Sequence, residues 1–110
     1  MKNYIQPGEH ITLTAPAAVS AGDAVLVGDV FGVAQGNAAQ DDPVVLVRRG
    51  VFTLPKTSAQ AWTAGAKVYW DAANSVVTTT ATGNKMVGAA VETAANPSAT
   101  GVVLLDGTIR

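Results

Sequence analysis

Chemistry needs a base, a nucleophile, a metal cluster or a phosphate cradle, and this sequence offers few residues for any of them. Its single histidine, His10, stands in the alternating run Glu9-His10-Ile11-Thr12-Leu13-Thr14. There it reads as a strand residue facing solvent or a neighbouring subunit, because no serine in a nucleophile-elbow context partners it. Asp41 and Asp42 are adjacent carboxylates, but the surrounding Asn37-Ala38-Ala39-Gln40-Asp41-Asp42-Pro43 has the composition of a solvated loop. Gly83-Asn84-Lys85 ends like a phosphate loop without having one: the four-residue span between two glycines and the Lys-Ser/Thr ending are missing. No spacing motif joins His10 to carboxylates as metal ligands. Asn96-Pro97-Ser98 is no glycosylation acceptor, since proline takes its middle position. The expectation is a protein without catalysis, metal or cofactor.

Contact chemistry is better provided. Residues 61 to 74, AWTAGAKVYWDAAN, hold both tryptophans and one of the two tyrosines. If Lys67-Val68-Tyr69-Trp70 is a strand, Val68 and Trp70 share one face and Lys67 and Tyr69 the other. Val68 and Trp70 then enter the core, with Tyr69 outside and Trp62 capping one end. A sugar platform would need several aromatics on one exposed face, and the alternation opposes that. Tyr69 and Trp62 are the aromatic candidates for a subunit contact. Arg48, Arg49 and Lys56 either pair with acids on a partner or keep the surface soluble. The polar segment Met1 to Gly8 reads as an arm that orders against a neighbouring subunit, with Tyr4 as anchor beside Pro7.

These residues must be positioned by strands. Short branched runs recur between Gly, Asp, Asn and Pro: residues 9–14, 24–27, 30–34, 43–47, 51–54, 67–70, 75–80, 86–91 and 101–105. That pattern predicts an all-β fold, a small barrel or sandwich. The run Val76-Val77-Thr78-Thr79 is expected to pair with Lys67 to Trp70 across an Ala-Ala-Asn turn. Helix is scarce; one short helical turn is expected near 57–62, after Pro55, with Thr57 or Ser58 as its cap. The domain expectation is an arm over 1–8 and a single β domain over 9–110.

The chain also echoes itself. Ala18 to Val27 aligns with Ala61 to Trp70, placing Ser20-Ala21-Gly22 over Thr63-Ala64-Gly65. Val30 to Ala34 resembles Met86 to Ala90, and Val44 to Gly50 resembles Val102 to Gly107, with Ala72 to Lys85 as an extra segment. Two β units of this kind are expected to pack about a pseudo-twofold into one small barrel.

Composition narrows the function further. The 110 residues are 48% hydrophobic but only 5% aromatic and 14% charged, so small Ala and Val side chains must fill the core. A small-residue core of this size gives a modest stability margin, which favours an oligomer. The net charge is −1 and only Arg48-Arg49 are adjacent cations, so no basic stripe tracks a phosphate backbone and nucleic acid is not an expected partner. No run approaches a membrane span. Zero cysteines exclude a disulfide framework and suit folding in a cytoplasm.

Asn3-Tyr4-Ile5-Gln6-Pro7-Gly8, Thr14-Ala15-Pro16, Ser20-Ala21-Gly22-Asp23, Phe31-Gly32-Val33-Ala34, Gly50 to Lys56, Gly65 to Asp71 and Ala95 to Gly101 occur in this order along nearly the whole chain. Taken together they resemble a family of small proteins of tailed phages and prophages, labelled capsid cement or head decoration proteins. Some members carry a recombinase label, which the missing phosphate loop rejects. The resemblance implies a β-rich domain made in the bacterial host cytoplasm that binds the outside of an assembled head as a homotrimer, where subunits of the major capsid protein meet. A β-module of the tail or baseplate, or a small ligand-binding domain, is the alternative. The contact candidates are then Tyr4, Pro7, His10, Arg48, Arg49, Trp62 and Tyr69.

Overall fold

The structure is a computed structural model and describes residues 8–109. The described residues form nine strands and no helix: β1 His10–Thr14, β2 Ala24–Val27, β3 Val30–Ala34, β4 Pro43–Val47, β5 Arg49–Pro55, β6 Lys67–Asp71, β7 Val76–Thr78, β8 Lys85–Ala90 and β9 Thr100–Asp106. Each strand overlaps one of the branched runs bounded by turn residues. The expected β6–β7 hairpin forms, with Trp70 opposite Val77. The expected helical turn near 57–62 does not. Thr57 N–H donates to the Val77 carbonyl at 3.0 Å, while Trp62 exchanges bonds with Ala94 at 2.9 and 3.0 Å. Those two anchors hold the segment extended at both ends, leaving only a turn at Ser58–Ala59.

The strands make two antiparallel sheets, ordered β1-β4-β3-β2 and β5-β9-β8-β6-β7. Remove β7 and the two orders are the same. The correspondence extends to individual bonds. Thr14 pairs with Pro43 as Pro55 pairs with Thr100, and Val25 with Gly32 as Val68 with Gly88. Gly22 N–H donates to Ala34 as Gly65 N–H donates to Ala90, at 2.9 and 2.7 Å. Both glycines have φ near +90° (91° and 88°), the conformation the shared Ser/Thr-Ala-Gly turn demands. The bridge Val19–Ala38 recurs as Trp62–Ala94. The echo is therefore a structural repeat, with β7 supplied by the extra segment of the second unit.

Two details of the expected repeat are corrected. The match of Val44 to Val102 slips by one: Ala34 pairs with Leu46, and Ala90 with Val103, so Val44 corresponds to Gly101. A one-residue slip moves every side chain to the opposite face of a sheet, and small apolar residues on both faces of β9 conceal it in the sequence. The sheets also do not close together into one barrel about a twofold. Ala24, Leu26, Phe31 and Val33 of the first sheet pack on Val68, Trp70, Ala90 and Leu105 of the second. Val25 and Ala34, the counterparts of Val68 and Ala90, lie on the other face of the first sheet, in its own smaller core. The units thus meet through unlike faces, an arrangement a twofold axis cannot generate. The architecture is sandwich-like. Phe31 and Trp70 form the central ring contact, centroids 5.3 Å apart and tilted by 51°. At the margin half-buried Lys85 pairs with exposed Asp29 at 2.9 Å, a solvent-screened bridge worth about 1 kcal/mol or less.

One residue joins the units covalently and electrostatically. β4 runs into β5 through Arg48 alone, whose guanidinium donates to the Gly8 carbonyl at 2.6 Å and to the Gly107 carbonyl. Its own N–H donates to Glu9 at 2.8 Å. Arg48 therefore ties the start of β1 and the segment after β9 to the crossover between sheets. Charged donors to carbonyls contribute about 1.5–3 kcal/mol. Arg48→Ala is expected to lower stability by about 2 kcal/mol, read as a lower urea midpoint with an unchanged slope.

Candidate functional site

The contact candidates fall into several places. Tyr4 and Pro7 lie outside the described residues, as does all of the expected arm over residues 1–8 except Gly8. His10 is exposed at the start of β1, opposite Val47, on an edge of the first sheet. Arg49 and Tyr69 lie on the outward face of the second sheet, Arg49 exposed and Tyr69 half-buried opposite Met86. Trp62 is inward, and Arg48 is half-buried at the crossover between the sheets. Arg48 is occupied by the two carbonyls just described, and Trp62 is only 1% exposed.

Trp62 has a specific structural reason for its burial. Its ring lies over Gly101, where an added Cβ would sit 2.3 Å from ring atom Cζ3. In the first unit the same two positions hold Val19 and Val44, so the second unit exchanges two medium side chains for one large and one absent. Lys56, only 3% exposed, places its Nζ 5.7 Å from the ring centroid. Its ammonium donates to the carbonyls of Thr57 at 2.9 Å, Ser98 at 3.4 Å and Ala95 at 3.5 Å. Carbonyl dipoles and the ring face together replace water around that charge. Sequence reading placed Lys56 on the surface, as a solubilising or pairing cation; the structure buries it, because Pro55 ends β5 where Lys56 must bridge Val77. Trp62 Nε1–H is buried without a partner among the described residues, a cost of about 1–3 kcal/mol that the ring's packing must offset. This assembly is a plug for one end of the second sheet.

The outward face of the second sheet carries what the sequence reading missed. Arg49 pairs with Asp106, Val51 with Leu104 and Thr53 with Val102, so successive rows are charged, apolar and mixed. Val51 is 56% exposed and Leu104 45%, the largest apolar side chains set opposite one another at the surface. A shallow depression of about 340 Å³ opens beside them, lined by Glu9, Arg49, Gly50 and Asp106. The signal was present in Gly50-Val51-Phe52-Thr53-Leu54, but apolar residues occupy both parities there. Only the structure shows that Leu54 is inside and Val51 is not. An exposed apolar row with charges of both signs along one side is chemistry for docking on another protein surface.

Other functions find little to work with. Among the described residues, no group of three or more His, Asp or Glu is placed to hold a metal. Among them no helix is long and apolar enough to cross a membrane. A concavity of about 560 Å³ lies between β2 and the second unit and is walled largely by Ala, Val and Pro.

A model of the family described as phage cement protein matches residues 5–105. No curated protein and no solved structure matches the chain.

Proposed function

Because the chain belongs to the phage cement protein family, with the phage-capsid-associated structural role that membership carries, we propose that it binds the exterior of the assembled phage capsid and stabilises it. The observation that carries this reading is the family match, which runs from residue 5 to residue 105 and so includes both repeat units. The partner is the major capsid protein and the form a homotrimer, located on the virion surface after synthesis in the host cytoplasm. Neither catalysis nor a cofactor enters the mechanism.

The mechanism is linkage. A ligand that binds the assembled shell and not dispersed subunits adds its binding free energy to the stability of the shell. Three modest contacts held in one trimer act together, because after the first the others are intramolecular. The Val51–Leu104 row suits the centre of such a contact, with Arg49, His10 and Tyr69 as the polar and aromatic surroundings. Tyr4 and Pro7 belong to an arm over residues 1–8 that orders against a neighbouring subunit. Arg48 and Trp62 support this surface from behind and do not touch the partner.

The test is cosedimentation with expanded, undecorated heads, with dispersed capsid subunits and with isolated tails. Binding to heads alone is the expected result. Binding to tails and not heads would instead make the chain a tail or baseplate module. A Leu104→Asp variant places a charge at the middle of the row and is expected to weaken head binding at least tenfold, with the urea midpoint unchanged because the side chain is already exposed.

A further inference from the structure

The repeat supplies an internal control for every position, and one edge differs between its two halves. In the second unit β6 carries β7 on its outer side: Trp70 pairs with Val77, and Val77 also bridges Lys56. In the first unit the counterpart, β2, ends its sheet. Its chain turns back to β3 within Gly28-Asp29, so the first unit has no counterpart of the inserted β7 to cover that edge. The groove of about 560 Å³ lies alongside, lined by Pro16, Ala18, Val19, Ala24 and Leu26, with Trp70 on the far wall. The two-residue turn makes Val27 and Val30 its closing pair, so Val25 and Val27 direct their backbone groups to β3. Ala24 and Leu26 direct theirs into the groove, where no described residue bonds to them. Exposed edges are usually blunted by lysine, proline or a bulge; Ala24-Val25-Leu26-Val27 has none of these.

We propose that this edge accepts a strand, and that the strand is the first segment of a second copy of this chain, residues 1–7. The inference rests on the oligomeric form proposed above. The segment MKNYIQP ahead of Gly8 contains Asn3-Tyr4-Ile5, the same length as the three-residue β7, with the apolar pair Tyr4-Ile5 to meet the Ala/Val/Pro walls. Its charge is complementary: Lys2 is cationic, and Asp23 lines the groove. A chain's own segment is badly placed for its own slot. It leaves from Gly8, held by Arg48 beside β1, at the opposite edge of the four-stranded sheet. That edge is three strand spacings away, about 14 Å, across a face covered in part by the second unit. A neighbour's segment meets no such obstacle. Pro16 stands where Thr57 donates to β7, so the added strand is held by β2 on one side and by apolar contact on the other.

Amide hydrogen exchange resolved at Ala24 and Leu26 tests this, on the full chain and on a variant lacking residues 1–7, with light scattering in parallel. The expected result is at least tenfold slower exchange at both amides in the full chain. The protection should vanish on dilution to monomer and in the shortened variant, and return when the free peptide MKNYIQPG is added to that variant. Equal rates in an intact oligomer would overturn the slot and leave the oligomeric reading standing. A full chain that is monomeric at micromolar concentration would sink the oligomeric reading; protection that persisted in that monomer would mean each chain fills its own slot, and overturn the exchange between copies.

Discussion

Replacing Gly88 with alanine should all but abolish the fold, whereas the same change at its repeat counterpart, Gly32, should not. Both glycines sit at the same place in their units, β3 and β8, where the neighbouring strand's backbone passes close. A Cβ on Gly32 would lie 2.9 Å from the Val47 carbonyl oxygen and 3.0 Å from Leu46 Cβ, so β3 and β4 must shift apart, though by about an ångström less than the clash at Gly88 demands. A Cβ on Gly88 would lie 1.9 Å from the Leu104 carbonyl oxygen and 2.9 Å from its carbon. Backbone cannot swing aside as a side chain does, so β8 and β9 would have to part. We expect Gly32→Ala to cost about 1–3 kcal/mol and Gly88→Ala more than about 4 kcal/mol, most of what a domain of this size possesses. Urea unfolding of the two variants side by side decides it. Similar midpoints would show that the second sheet relaxes far more easily than its register implies.

The second large effect is a rescue. Trp62→Val should cost about 3–5 kcal/mol, since the ring is almost fully buried and its removal leaves a cavity above Gly101. Gly101→Val should cost a comparable amount, because its Cβ would enter the ring at 2.3 Å. The double variant transplants the Val19–Val44 solution of the first unit, in which the same backbone positions are filled without a ring. Its loss should be smaller than that of either single variant, a coupling of at least about 2 kcal/mol in a double-mutant cycle. Full rescue is not expected, because Lys56 loses the ring face beneath its ammonium. Additive losses would show that the two units do not solve the same packing problem.

The sequence made the strands legible because every one is a short branched run closed by turn residues, and no competing helical period overlaps them. It also showed the repeat, since Ser20-Ala21-Gly22 and Thr63-Ala64-Gly65 must both supply a positive φ, which few residues do. Trp70 and Val68 inside and Lys67 outside followed from alternation alone. What failed had local causes. The register of β9 was misplaced by one because Val102, Val103, Leu104 and Leu105 are apolar on both parities, and Gly101, inward in step with Val103 and Leu105, has no side chain to mark its face. The helical turn at 57–62 was overridden by bridges to Val77 and Ala94, partners distant in sequence. For the same reason Val51 and Leu104 went unnoticed: an exposed apolar row is identified by what fails to cover it, which is a property of the fold. For Arg48 and Trp62 the structure adds internal contacts that the residue types alone do not reveal, with the carbonyls of Gly8 and Gly107 and with the space over Gly101.

The central claim is that this chain strengthens a shell by binding only its assembled form. It is tested most directly by the melting temperature of expanded, undecorated heads, followed as purified protein is added to saturation. A rise that saturates with occupancy, absent with the Leu104→Asp variant, is the predicted result. Heads that bind the protein and melt at an unchanged temperature would contradict the account.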